Sequence, residues 1–214
     1  HVDQSLLMAT EAGGDPRFRM LHVIRQFATA RLAESGERRD IELRHLHAFI
    51  SLAEEASRHF KCGHRNQWLD RIARDHDNIR AALDRAAAAG ETDLARRLSF
   101  ATWRFWQARG HIHEGRRRAS ATLAMPDGDP YWRAKALEAL AGIIWWGGLS
   151  GTLEVYAEAL QIQRARDNIW ELANALYNHA LALVFDGDQP QAALAELDEA
   201  ERLFEEVGDT SGLG

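Results

Sequence analysis

The chain has 214 residues, 46% of them apolar, with 4 prolines and a formal net charge of −6; that is enough to bury a sizeable core in one elongated domain or two small ones. Scarce proline beside abundant Ala, Leu, Arg and Glu excludes a turn-rich all-β chain, the single Cys62 excludes an internal disulfide, and no apolar run reaches the roughly 18 residues that cross a bilayer. Charge is divided unevenly: 21 of the 26 Lys and Arg precede residue 126 together with 16 of the 32 acids, which gives +5 there and −11 beyond.

The opening HVDQSLLMAT has neither a basic leader nor a long apolar stretch, so it does not read as a secretion signal. A cytoplasmic protein with no membrane partner is expected. DQSLLMAT, the turn signal GGDP and the following RFRML read as the two strands of a hairpin. From Met20 to Ser35, the residues Leu21, Ile24, Ala28, Arg31 and Leu32 recur at steps of three and four, and Gly36 supplies a stop; the spacing predicts a helix. Further helices are expected at 41–60, 66–89, 92–109, 112–124, 131–147, 152–166, 170–186 and 190–207, separated by short Gly and Asp turns. Antiparallel helix pairs joined in this way are the unit of an α-solenoid.

The pairs repeat. RAKALEALAGIIWWGGLSGTLEVYAEALQIQRARDN aligns with ELANALYNHALALVFDGDQPQAALAELDEAERLFEEVGD, so that Ala134, Leu137 and Ala141 correspond to Ala173, Leu176 and Ala180, and Gly148 to Gly187. Ala157 and Leu160 correspond approximately to Ala193 and Glu196, where the match slips. Gly110, Gly148 and Gly187 are spaced 38 and 39 apart, slightly more than the tetratricopeptide period of about 34 residues. The expected fold is all-α: a tetratricopeptide-like right-handed α-solenoid of antiparallel helix pairs, with a strand hairpin and one helix near its start. The closing GDTSGLG repeats the turn after Arg166 without a following helix. An uncapped repeat leaves an apolar face, so a fragment of a longer protein, or a homo-oligomer, is expected.

Histidine spacing argues against metal chemistry. His45 with His47, and His111 with His113, are two apart, whereas one helix face needs steps of three or four. His59, Cys62 and His64 form the best metal candidate but fall short of the usual four structural ligands, so no metal is expected. Glu114 beside Arg116 and Arg117 has no recognisable nucleophile or second carboxylate and reads as an ion pair. Arg116, Arg117 and Arg118 read as a solvated face rather than a nucleic-acid patch. Trp103 and Trp106, three apart, suit a core or a groove. Trp145 and Trp146 are adjacent, so one of them should be exposed or touch the next repeat. Asn174 and Asn178, four apart, present two amides on one face, for a ligand or for neighbouring backbone. Together these six residues are the candidate effector or partner groove. Asn78 reads as a cap or a buried hydrogen-bonding group.

RFRMLHVIRQFATARLAESGE resembles the last helix of the winged-helix domain in bacterial STAND regulators of the AfsR and LuxR types. DQSLL resembles the strand before it, HDNIRAAL at 76–83 the opening of the helical sensor region, and WRFWQARGHIHEGRRR at 103–118 the next block of that family. The resemblance implies the end of a winged helix at 1–37, a linking helical region at 38–90 and tetratricopeptide-like repeats at 91–214. It also implies a nucleotide-binding domain upstream that takes ATP or ADP and is regulated by this region, with DNA contacted only through other domains. In such regulators a histidine near the start of this segment touches the nucleotide phosphate. Here Met20, Leu21 and His22 place leucine at the matching position, and a one-residue step turns a side chain about 100° around a helix. Met20, Leu21, His22 and Arg25 are therefore the candidate interdomain or nucleotide-switch contacts. No GxxxxGK[ST] sequence is present, so no P-loop, and no cofactor, is expected in this chain. The expected function is non-catalytic: a regulatory module that binds its own upstream NTPase domain and an effector, or alternatively a passive scaffold for homo-oligomerisation.

Overall fold

The computed structural model describes residues 6–12, 15–60 and 63–208. The chain forms two compact units, His1–His45 and Leu46–Gly214. Cys62 and the closing GDTSGLG turn after Gly208 lie outside the described residues, as does most of the DQSLL segment.

In the first unit, strands β1 (Leu7–Ala12) and β2 (Asp15–Met20) pair antiparallel, with Leu7 opposite Met20 and Ala12 opposite Asp15. Helix α1 spans His22–Ser35, two residues shorter at its start than expected, because Met20 belongs to the β ladder and Leu21 is the N-cap. It ends at Gly36, whose φ of 78° is left-handed, a conformation that costs glycine nothing. On its apolar stripe Ile24, Ala28 and Leu32 are half-buried, while Leu21 and Arg31 are exposed.

Helix α2 (Arg38–His59) carries the boundary between the units. The helix expected over 66–89 is two helices, α3 (Arg65–Arg74) and α4 (His76–Ala89). They break at Asp75, whose φ of −105° and ψ of 9° are not helical. Its N–H closes α3 by donating to the Ile72 carbonyl, its own carbonyl accepts from Ile79 N–H of α4, and its carboxylate accepts from Asn78 Nδ2 at 3.0 Å. Aspartate competes well for backbone and neighbouring donors, so it serves here as a joint between helices. Periodicity misses this, because α3 and α4 keep their apolar faces on one core.

Three hairpins follow: α5 (Thr92–Ala108) with α6 (Ile112–Leu123), α7 (Pro130–Trp146) with α8 (Thr152–Arg164), and α9 (Ile169–Phe185) with α10 (Pro190–Glu206). Each hairpin packs on the next, α5 and α6 against α7, and α8 against α9. The fold is an all-α helical-repeat solenoid, with a two-stranded hairpin in the first unit. None of the described helices is long and apolar enough to cross a membrane.

Small residues let the helices approach. Ala134, Leu137 and Ala141, and their counterparts Ala173, Leu176 and Ala180, are all buried, as expected of close-packed hairpins. The second helices of the repeat differ: Ala157 is exposed whereas Ala193 is buried. The turns differ too. Gly110 and Gly148 take positive φ, but in the third hairpin Asp188, not Gly187, takes it. Gly187 lies in a tight place: a Cβ there would stand 3.1 Å from the Leu183 carbonyl oxygen and 3.2 Å from Leu153 Cδ2.

The main core is formed by α2 to α7 around the fully buried Phe105, Trp106, Leu98 and Ile143. Each large aromatic there removes roughly 150–250 Å² from water, worth about 4–6 kcal/mol. The connection from α6 to α7 is held by Arg96, which is 1% exposed. Its guanidinium donates to the carbonyls of Thr122, Met125 and Asp127 at 3.3, 3.0 and 2.9 Å, placing a cation at the C-terminal end of α6 where the helix dipole favours it. Gly128, at φ 95°, lies against this latch; a Cβ would come within 2.6 Å of Arg96 Nη1.

Candidate effector groove

The first helices of the three hairpins line one cavity of about 480 Å³. Helix α5 contributes Phe100, Trp103 and Arg104, α7 contributes Lys135, Glu138, Trp145 and Trp146, and α9 contributes Trp170, Asn174, Tyr177, Asn178 and Leu181. Ser57 of α2 and Tyr156 of α8 complete it. A volume in this range, aromatic walls and a few polar groups suit the burial of an organic ligand or a side-chain cluster.

Backbone spacing sets the aromatic walls. Trp103 lies flat on α7 at Gly142, where a Cβ would come within 2.6 Å of its ring; glycine thus admits the indole to the groove. Trp145 meets Phe185 of α9 edge-to-face at 5.2 Å between ring centres, while Trp146 is 59% exposed. Both adjacent tryptophans line the groove, one reaching the next hairpin and the other standing in solvent. Asn178 Nδ2 donates to the Asn174 carbonyl at 2.9 Å, so one amide is tied to its own helix.

The floor is ionic. Lys135 Nζ donates to Glu171 Oε2 at 2.7 Å and to Glu138 Oε2 at 3.1 Å, and it lies 4.8 Å from the centre of the Phe100 ring. All three ionic side chains are buried. Burial opposes the Lys135 charge, but the two carboxylates outweigh it and hold its pKa above the ordinary value. Burial pushes the Glu138 carboxyl up to about 7 against the pull of Lys135, and the Tyr156 hydroxyl, also desolvated, up to about 12. One ammonium between two carboxylates leaves the floor with an excess of negative charge once Glu138 ionises.

Arg104 adds a further cation to the groove lining. Arg104 stacks on Trp103 with its guanidinium carbon 3.8 Å from the ring centre, and desolvation in the concave wall lowers its pKa although the side chain is still exposed. Arg104 and Trp146 also line an adjoining cavity of about 330 Å³ with Phe60, Arg65 and Gln107.

Of the six groove residues expected from sequence, Trp103, Trp145, Trp146, Asn174 and Asn178 line this cavity. Trp106 does not: it is fully buried, and its Nε1–H donates to Nε2 of His76 on α4 at 3.3 Å. Three residues of helix separate it from Trp103 by only about 60° around the axis, so packing of α4 against α5, with His76 as acceptor, takes Trp106 into the core. Phe100, Arg104, Lys135, Glu138, Tyr156, Trp170 and Tyr177 escaped sequence reasoning. The available signal was the pair Lys135 and Glu138, two charges three apart on the largely apolar α7, which carries Arg133 besides.

The other candidates fall elsewhere. In the first unit, Met20 ends β2 half-buried, Leu21 and His22 are exposed, and Arg25 Nη2 lies 3.3 Å from His22 Nδ1. Glu114 is not a simple surface charge. It accepts from Arg80 Nε at 2.7 Å and Arg118 Nε at 3.0 Å, joining α4 to α6, and Arg80 above all holds its carboxyl down at about 2. His59 Nε2 lies 3.0 Å from Glu55 Oε1 and stacks on Trp68 at 4.8 Å. Asn78 is neither a cap nor buried: it is exposed, and its Nδ2 donates to the Asp75 carboxylate at the α3–α4 joint.

No known family model matches the chain. Three relatives, each named "Putative HTH-type transcriptional regulator", one from Mycobacterium bovis and two from strains of Mycobacterium tuberculosis, are 26% identical to it over an alignment of 257 residues. The alignment covers 97% of the chain, and the chain spans about 29% of the length of these relatives; along nearly all of its own length, then, it is similar to one segment of much longer regulators of transcription.

Proposed function

We propose that the chain is the regulatory interaction or effector-sensing module of a bacterial transcriptional regulator. The observation that carries this reading is the groove itself, in which one helix from each of three successive hairpins converges on one aromatic cavity with a charged floor. Similarity over 97% of the chain to proteins named as HTH-type transcriptional regulators supports the regulatory context. In the finer form of the proposal the parent resembles STAND regulators of the AfsR and LuxR types. A nucleotide-binding domain outside this chain takes ATP or ADP, DNA is contacted by other domains, and the protein acts in the cytoplasm. The chain has no turnover of its own; it binds, and binding shifts the nucleotide domain between states.

The test is a pull-down of this chain against the nucleotide-binding and winged-helix region of its parent, with ADP and with ATP. Nucleotide-dependent capture supports the sensor reading. The second reading, a passive scaffold that self-associates, draws on the exposed Val184, Phe185 and Leu194 of the last hairpin. Absence of capture in either state, with self-association that rises with concentration, would favour it.

A further inference from the structure

Two guanidiniums line one cavity beside the groove without a carboxylate partner. Arg104 and Arg65 line the same 330 Å³ cavity, and the positive charge of Arg65 acts on Arg104 to disfavour its protonated form. Among the described residues neither has a carboxylate partner, whereas Arg80, Arg97, Arg109, Arg118, Arg133 and Arg164 of the same unit all do. Arg116 and Arg117 of the same unit also lack a carboxylate partner, but they stand on an exposed helix face; Arg104 and Arg65 differ in lining a cavity, where an anion would find both. Arg104 is further fixed by stacking on Trp103, so its planar donors are pre-oriented for an oxyanion. Elsewhere in the groove the Lys135 ammonium is already shared by Glu138 and Glu171 and offers nothing to a second anion.

Resting on the proposal that the groove binds an effector, the geometry points to a small amphipathic organic anion as the ligand, its single carboxylate or phosphate held by Arg104 and Arg65 and its apolar body laid between Trp103, Trp145 and Trp146. Arg104 and Trp146 line both cavities, so the two adjoin and head and body sites lie within one molecule's reach. Cavities of about 330 and 480 Å³ match a drug-sized molecule. A ligand with negative charge at both ends is rejected by the floor.

The experiment uses a matched pair of fluorescent probes on this chain: 1-anilinonaphthalene-8-sulfonate, an aromatic anion, and N-phenyl-1-naphthylamine, the same body without the sulfonate. The anion is expected to bind about tenfold more tightly, the equivalent of one charge-assisted contact. Arg104→Ala should remove most of that preference and Arg65→Ala part of it, with Arg104→Lys restoring some. Because Arg104 also lines the groove and stacks on Trp103, the neutral probe should lose less affinity than the anion in each variant, and the ratio of the two affinities is the readout. Trp146→Ala should weaken both probes, and near-ultraviolet circular dichroism checks that each variant keeps its packing. Competition by indole-3-acetate against phenyl phosphate then decides between carboxylate and phosphate.

Equal binding of the two probes, indifferent to Arg104 but sensitive to Trp146, overturns the anion assignment and leaves the groove reading standing. Binding of neither probe, or binding indifferent to Trp146, removes the groove reading as well. Displacement of the anion by the parent's nucleotide-binding region and by neither small anion overturns the small-molecule assignment in favour of a protein occupant.

Discussion

The indole N–H of Trp106 on α5 donates to Nε2 of His76 on α4, which fixes the imidazole as a neutral acceptor inside the core. His76 also lies 3.5 Å from Glu114 Oε1 and meets Phe105 edge-on at 5.0 Å between ring centres. Desolvation lowers its pKa below 6.5, and the Glu114 charge opposes the shift without reversing it. A histidine whose folded pKa is depressed stabilises the fold above its unfolded value and loses that contribution as pH falls through the folded value. The stability difference between the wild type and His76→Gln, measured by urea unfolding, should therefore shrink as pH is lowered from 7.5 to 5. A difference that grows on acidification would mean that His76 is charged in the fold.

Glu138 carries the opposite sign. Its pKa is raised from 4.5 to about 7 by burial, so its contribution is fully present below pH 4.5 and is lost as pH rises through 7. Glu138→Gln keeps the shape and leaves the Lys135–Glu171 pair intact. It should be more stable than the wild type at pH 8, by at most about 3 kcal/mol, and nearly equal to it at pH 5. Thermal unfolding at the two pH values reads this directly, and a variant less stable at pH 8 than at pH 5, relative to the wild type, would refute it.

Arg96 satisfies three carbonyls in the α6–α7 connection with one buried side chain. Removing it leaves acceptors without donors in a place water reaches poorly, so Arg96→Ala should cost about 3 kcal/mol. Arg96→Lys retains the charge but not the fork and should recover only part. Chemical denaturation of both variants, with equal dependence on denaturant, is the measurement; a cost below about 0.5 kcal/mol for Arg96→Ala would show that the loop holds without the latch.

Gly142 sits beneath the Trp103 ring, 2.6 Å from where a methyl group would be. Gly142→Ala must displace the indole or the helix, at a cost of about 1–3 kcal/mol. Because Trp103 is a groove wall, probe binding should fall together with stability. Gly36→Ala, strained by its positive φ but outside the groove, serves as the control and should lower stability while leaving probe affinity unchanged.

Much of the architecture was legible in the amino-acid order, for a local reason. Helix periodicity, glycine stops and the recurrence of small residues depend on neighbours within a few turns, so the strand hairpin, α1, α2 and the three helix pairs could be read within a few residues of their bounds. The joint at Asp75 could not, because a break that leaves the apolar phase unchanged makes no mark on the pattern. Five of the six groove candidates line the cavity; they were legible as residue types, because tryptophan and asparagine are conspicuous in helices otherwise built from alanine and leucine.

Tertiary structure alone decided the rest. Trp103 and Trp106 are the same residue type three positions apart, and only the packing of α4 against α5, with His76 waiting as an acceptor, sends one to the core and the other to the groove. Lys135 and Glu171 are 36 residues apart, and Arg104 and Arg65 are separated by 39 positions on different helices. Which charges pair and which stay unpaired depends on which helices the solenoid brings together. A linear sequence carries the charges and the periodicities; the distances that turn them into an acidic floor and two unpaired arginines arise only when separate helices are stacked.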